Sequence, residues 1–254
     1  MSSFLKRPMP PHDERLRTEF NRWAEEGMGT QMERSHASIT AKTLERMHLR
    51  LGDRVLDLGC GDGWASRLLA RMVAAPEAAT PAGQVVGLDI SDAMIRRART
   101  SHAAIENLLF VWGAADHIPW AENFFTHVFS VESFYYYPDQ EKVLAELFRV
   151  VAPLGEIFLV IALHRDNPGA LRWLDHIKVP VHVRSAAEYE TMLRDGGWLD
   201  VSSEQYAPEG PPAQLAPDDP HHTPTGEDPH ERALLIRARK PDLTVPARGI
   251  EVWA

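Results

Sequence analysis

The residues best suited to chemistry lie in one short run, Val55-Leu56-Asp57-Leu58-Gly59-Cys60-Gly61-Asp62-Gly63-Trp64. Apolar residues lead to an acid, glycines alternate at 59, 61 and 63, and a helical stretch over 64–72 follows. That is the pattern of strand, turn and helix. Glycine admits backbone angles closed to other residues and keeps side chains out of the way of a ligand. The unpaired amides that open the following helix add donors for an acidic group. A second acid, Asp89, ends the apolar run Val85-Val86-Gly87-Leu88, and Ser91 after it predicts a cap for a helix over 92–100. A carboxylate at the tip of a second strand is placed to take two hydrogen bonds from a ribose diol.

Spacing decides which ligand of this kind is expected. The dinucleotide fingerprint G-x-G-x-x-G/A needs a small third residue so that helix and strand pack closely. Here that position is Trp64. The observed G-x-G-x-G, with Asp57 two residues ahead, resembles motif I of the class I S-adenosylmethionine (SAM) methyltransferases. The resemblance implies that Gly59, Gly61 and Gly63 pass under the methionine end of SAM, that Asp57 organises that end, and that Cys60 is a small filler beside the cofactor. It also implies that Asp89 binds the ribose, Ile90 packs on the adenine and Met94 lines the pocket. Met94 reads equally well as a core residue of an amphipathic helix. Asp89 lies further from the first glycines than usual, and a lengthened surface loop over 74–83 accounts for the excess.

Further along, Gly113-Ala114-Ala115-Asp116-His117-Ile118-Pro119-Trp120 resembles the family's G-D-A-x-x-L-P-F segment. There a backbone amide, at Ala115 here, and an acid read the adenine edge. Ala114 replaces the usual acid, which leaves Asp116 as the candidate. The stretch 123–133 resembles the S-F-D-x-V-x-S strand and brings Ser130 into the expected cofactor set. His127 replaces an acid there and is not read as functional. Residues 149–155 resemble the R-V-L-K-P-G-G turn before a strand over 156–162. The four motifs, in order across 50–162, identify the chain as resembling the type 11, or UbiE-like, small-molecule methyltransferases. The implied fold is α/β and Rossmann-like: a seven-stranded, mostly parallel sheet with helices on both faces, ending in an antiparallel hairpin.

The elements that must position these residues are also legible. Leu16, Phe20 and Trp23 have helical spacing over 14–27, and Ile39, Leu44 and Met47 form the apolar side of a helix over 35–49. Between them, 27–36 reads either as a lid or pocket loop or as a plain surface turn. After the core come a short helix over 167–176, an extended segment over 179–184, and a helix over 186–194 capped by Ser185 with Glu188. Strands over 198–206 and 233–239 make the final hairpin. Residues 207–231, rich in proline, acids and histidine, read as a long loop. The expected division is 1–49 for the N-terminal helices and lid, 50–241 for the SAM-binding domain, and 242–254 for a tail.

Composition sets bounds. The chain has 254 residues, 44% hydrophobic and 25% charged, with a net charge of −9 and a single cysteine. This size supports one α/β domain with accessory pieces. The charge argues against nucleic acid as a partner. One cysteine excludes an internal disulfide and fits a reducing, cytoplasmic setting. No stretch approaches the roughly 20 apolar residues of a membrane span, and 1–14 lacks the apolar run of a signal peptide. His221, His222 and His230 suggest a metal, but neighbouring histidines alone do not make a preformed site, and no metal is expected.

Methyl transfer from a sulfonium needs alignment, exclusion of water and, for some acceptors, removal of a proton. In an open α/β sheet the ligands lie beyond the carboxyl ends of the strands. That rule nominates Glu132 and Tyr135 after the fourth strand and His164 after the fifth, with His164 the expected general base. Each has a plainer reading: Glu132 as a cap, Tyr135 as core, His164 as an exposed loop residue. The expected activity is transfer of a methyl group from SAM to a small organic acceptor, leaving S-adenosylhomocysteine (SAH). A protein or RNA acceptor, a nicotinamide oxidoreductase and a non-catalytic SAM binder are the alternatives.

Overall fold

In the computed structural model the described residues are 9–74, 83–206 and 232–242. The expected long loop with its three histidines, most of the insertion over 74–83 and all but the first residue of the tail lie outside them. Seven strands form one sheet in the order β3-β2-β1-β4-β5-β7-β6. They are β1 (Arg54–Leu58), β2 (Gln84–Asp89), β3 (Leu108–Trp112), β4 (Phe125–Val131), β5 (Val151–Ile161), β6 (Leu199–Gln205) and β7 (Leu234–Arg239). The first five run parallel, and β7 pairs antiparallel with both β5 and β6. The sheet and its antiparallel ending are those implied by the sequence.

Strand residues alternate between two cores because successive side chains point to opposite faces. Leu56, Leu58, Val86 and Leu88 join one cluster, and Val55 and Val85 join the other. The first cluster is closed by Val143, Leu144 and Leu147 of α5 (Gln140–Val150) and by Tyr189, Met192 and Leu193 of α7 (Ala186–Asp195). The second is closed by α2 (Gly29–Arg46), α3 (Trp64–Val73) and α4 (Asp92–Ser101) through Ile39, Leu69 and Ile95. Full burial of each such side chain stabilises by about 1.5–3 kcal/mol. The N-terminal α1 (Pro11–Glu25) lies across the carboxyl ends of the strands, with Leu16 in the first cluster.

Local signals behave as the residues dictate. Ser91 caps α4 by accepting from the Met94 amide at 3.0 Å, and Ser185 and Glu188 form a reciprocal capping box on α7. Three readings are corrected. The expected loop over 27–36 is largely the first two turns of α2, because Gly27 alone, at φ +74°, ends α1 and the helix restarts at Gly29. Of the expected turn at 149–155, 149–150 end α5 and 151–155 already belong to β5. Its register against β4 shifts between Phe125 and His127, and Leu154, at φ +64°, carries the irregularity. The helix over 167–176 is a short α6 (Pro168–Leu171) followed by a 3₁₀ turn, Arg172–Asp175. No described helix is long and apolar enough to cross a membrane.

Candidate functional site

The strand order reverses at β1, whose neighbours are β2 and β4, and the carboxyl ends at such a switch point are where open α/β sheets hold ligands. The glycine loop after β1 occupies this place. Gly59, Gly61 and Gly63 all have positive φ, at +76°, +54° and +86°. The Gly59 and Cys60 amides donate to the Leu88 carbonyl at 2.8 and 3.1 Å, tying the loop to β2. A Cβ on Gly59 would lie 2.5 Å from Ser133, and one on Gly63 would lie 2.5 Å from the Phe110 ring. A Cβ on Gly61 would meet nothing within 4 Å, so this glycine leaves the open side of the loop bare. Gly63 begins α3 behind the loop and does not line the cavity, so its part is to make the turn.

Two carboxylates flank the bare backbone. Asp89 accepts from the Gly61 amide at 2.9 Å through one oxygen and from the Ser91 amide at 2.8 Å through the other. Each oxygen keeps a lone pair for a further donor, as a diol requires. Burial pushes the Asp89 carboxyl up to about 6. Asp57 accepts from the Ser66 hydroxyl at 2.5 Å, and burial pushes it up to about 7. Burial also pushes the Cys60 thiol well up, which keeps it protonated and suits a filler rather than a nucleophile.

These groups open onto a cavity of about 950 Å³ that runs on beneath α1 and α2. Ile90, Met94, Ala115 and Asp116 line it as expected. Met94 is also buried in a small cluster with Ala24 and Ala93, so it belongs to a core as well as to the cavity lining. Asp116 is paired with Lys142, and His12 and Asp13 join them at the same polar end, His12 lying 3.0 Å from the Asp13 carboxylate. Ser130 is fully buried and does not reach the cavity. Its hydroxyl bonds Ser133 at 2.6 Å, and Ser133 in turn donates to the Leu58 carbonyl at 3.0 Å, so Ser130 braces the wall from behind.

The three residues nominated to face the acceptor divide. Glu132 and Tyr135 both line the cavity, and the Tyr135 hydroxyl donates to Glu132 at 3.0 Å. The other Glu132 oxygen accepts from the Ala162 amide, which ties the ends of β4 and β5 together. Glu132 itself sits at φ +51°, a left-handed conformation uncommon for a residue with a side chain. Burial raises the Tyr135 hydroxyl well above its ordinary value, so it stays a neutral donor. His164 is not brought to the cavity. It is 1% exposed, bonds the Arg232 carbonyl through Nε2 at 3.1 Å, and has its basicity lowered by burial.

Sequence reasoning missed much of the opposite wall. Phe20 and Trp23 of α1, Met32 and His36 of α2, and Trp173 and Ile177 after β5 all line the cavity. Phe20 meets Trp23 edge-on at 5.3 Å and Tyr136 edge-on at 5.0 Å, and Tyr136 lies 4.5 Å from Tyr135. Helical spacing marks Phe20 and Trp23 as one face of a helix but is silent on what that face meets.

Comparison with known proteins decides the family. A methyltransferase-domain family model matches residues 56–159. Demethylmenaquinone methyltransferase of Lactococcus lactis is 30% identical over 176 residues, 68% of this chain and 67% of that enzyme. The chain belongs to the class I SAM-dependent methyltransferases, of the UbiE-like type. The 27-O-demethylrifamycin SV methyltransferase of Amycolatopsis mediterranei is also similar, at 30% identity over 181 residues, 68% of this chain and 64% of that enzyme. Among solved structures, the complex between the Haloferax volcanii Trm112 methyltransferase activator and a methyltransferase matches with a TM-score of 0.74 and 30% identity, covering 88% of this chain and 98% of that one.

SAM is the cofactor of this methyltransferase, and the donor set suits it. Asp89 has the free lone pairs for a ribose diol, and bare Gly61 leaves room over the loop. Asp57 supplies a carboxylate at the end of β1. Among the described residues no group of three or more His, Cys, Asp or Glu could hold a metal ion.

Proposed function

We propose that this methyltransferase acts on a small, flat and largely apolar organic molecule, and that Glu132 takes up a proton when the acceptor releases one. The observation that carries the reading is the aromatic wall: Phe20, Trp23, Tyr135, Tyr136 and Trp173 face the same cavity as the glycine loop. Aromatic and aliphatic walls with few polar groups favour ligands that shed water on binding. The names of two relatives, demethylmenaquinone methyltransferase and 27-O-demethylrifamycin SV methyltransferase, support a small organic acceptor.

When bound, SAM supplies an activated methyl group on a sulfonium. The cofactor-binding roles are those the resemblance implies, on residues that line this cavity: Asp57 and Gly61 at the methionine end, Asp89 at the ribose, and Ile90, Met94, Ala115 and Asp116 around the adenine. Helix α1 and the 173–177 segment exclude water and hold the acceptor flat. Tyr135 positions Glu132 by donating to one of its oxygens. Glu132 brings a carboxylate to the aromatic side of the cavity, beside Tyr135, whereas His164 is buried away from it.

A macromolecular acceptor is the second reading. It is favoured by the activator protein in the Haloferax structure and by β3, an edge strand here, which exposes Leu109 at 44%. Incubation with methyl-labelled SAM and a cell extract separates the two. Label in the organic-soluble, low-molecular-weight fraction, reduced about 100-fold or more in Glu132→Gln, is expected. Label confined to protein or RNA would move the acceptor class, and binding without turnover would point to a non-catalytic role.

A further inference from the structure

Helix α1 roofs a cavity, so much of its inner face meets open space rather than a packed core. Its polar tie to the cofactor half is concentrated at two residues one turn apart. The Arg17 guanidinium donates to Asp92 at 2.7 Å and lies over the Trp112 ring, 5.7 Å from its centre. Asn21 makes a denser set of bonds. Its Oδ1 accepts from the Ser91 hydroxyl at 2.6 Å and from the Ala93 amide at 3.1 Å, and its Nδ2 donates to Asp92 at 3.0 Å. Asn21 thus supplies, from another helix, a partner for an amide in the first turn of α4, which that helix cannot satisfy itself.

Ser91 stands at the centre of this set and is fully buried. Its amide donates to Asp89, its hydroxyl accepts from Met94 and donates to Asn21. A continuous line of hydrogen bonds therefore runs from the Gly61 amide through Asp89 and Ser91 to α1. The same helix carries Phe20 and Trp23 into the cavity.

We propose that Asn21 is a positioning residue that couples the ribose carboxylate to the acceptor wall, so that cofactor binding fixes the placement of α1. This rests on the assignment of Asp89 to the ribose. A diol on Asp89 holds that carboxylate in the orientation the Ser91 amide requires, and the buried Ser91 hydroxyl carries the constraint to Asn21. Coupling is reciprocal in binding free energy, so a docked α1 also tightens binding of the cofactor, and because α1 roofs the cavity that gain should be read in dissociation.

Hydrogen exchange of residues 11–25, with and without SAH, tests this in wild type, in Asn21→Asp, and in the double variant Asn21→Asp with Asp92→Asn. The single change sets a second carboxylate against Asp92. The double change exchanges donor and acceptor, so that the amide at position 92 donates to the carboxylate at position 21, which also takes over from Asp92 as the ion-pair partner of Arg17. In wild type, SAH should slow exchange throughout α1. In the single variant SAH should still bind, leave α1 unprotected and dissociate roughly 5- to 20-fold faster. The double variant should restore both protection and residence time. Full protection with unchanged dissociation in the single variant would overturn the inference, as would a double variant no better than the single one. If Asn21→Asp fails to fold, Asn21→Ala is read by the same criteria. Failure of SAH to bind wild type would instead overturn the cofactor assignment, and this inference with it.

Discussion

The two halves of the cavity are built by different means. The half proposed for the cofactor, the cofactor half, is made of main chain and of acids at strand ends: the glycine loop after β1, Asp57, and Asp89 after β2. The half proposed for the acceptor, the acceptor half, is made of side chains from segments far apart in sequence, α1, α2, 132–137 and 173–177. Backbone that must turn at positive φ and leave room for a ligand has few solutions, and each demands glycine at fixed places. An apolar wall has many solutions, because aromatic and aliphatic residues on any facing element can build it. The first half is therefore constrained in sequence, and the second is constrained in volume.

If that contrast is right, small changes in the cofactor half should be severe. Gly59→Ala should be the worst. Its Cβ would lie 2.5 Å from Ser133 on a backbone at φ +76°. The combined strain and overpacking should cost about 2–4 kcal/mol, seen as a fall in the melting midpoint together with loss of SAH binding.

In the acceptor half a large truncation should be milder and selective. Trp173→Ala removes an aromatic ring from the far wall and should raise the acceptor KM about 10-fold. The expectation follows from the roughly 1.5–3 kcal/mol gained by burying a large side chain, only part of which the acceptor contributes. Steady-state kinetics with the purified acceptor checks it, and an equal fall in SAH affinity would blur the two halves.

Acidity sharpens the contrast further. Burial raises Asp89 to about 6, above its ordinary carboxylate value. The folded protein thus holds a proton there that the unfolded chain has already released, and stability from this group falls as pH rises through about 6. Asp89→Asn, which never carries the buried charge, should gain stability relative to wild type at pH 8, and that advantage should shrink as pH falls below about 6 and be gone near the ordinary carboxylate value of 3.8. Cofactor affinity has the opposite sense, since the charged carboxylate is the better acceptor for the diol, so wild-type SAH binding should weaken on acidification through the same interval. Paired melting and binding curves would show both trends.

The smallest effect is expected outside both halves. His164→Gln should leave turnover within about twofold, because the ring is buried against the Arg232 carbonyl, while lowering stability by about 1 kcal/mol for the lost bond. A large drop in turnover with unchanged folding would return His164 to the mechanism.

What could be read from the residues follows the same division. Asp57, Gly59, Gly61 and Asp89 announce themselves by type and spacing, and the fold sets them around one cavity. Ser130 belongs to the same motif yet faces away, because strand alternation points it at Ser133 rather than at the opening. His164 follows β5 as the strand-end rule requires, but the rule locates a backbone position and not the direction of a side chain. Trp173 and Asn21 carry no local signal. What they meet depends on how α1 and the segment after β5 fold over the sheet, which is a matter of long-range packing. The restart of α2 at Gly29 was hidden for a similar reason. A Cβ there would lie 1.9 Å from the Asp62 carboxylate, so that glycine answers to a neighbour in the cofactor loop and not to a turn.

The most direct test is calorimetry of SAH binding to wild type, Asp89→Ala and Trp173→Ala. The account predicts that Asp89→Ala weakens binding by about 1.5–3 kcal/mol, roughly 10- to 150-fold, through loss of the charge-assisted ribose bonds, while Trp173→Ala binds within about twofold of wild type. Equal affinity in wild type and Asp89→Ala would contradict it, because the ribose would then lie somewhere other than at the end of β2.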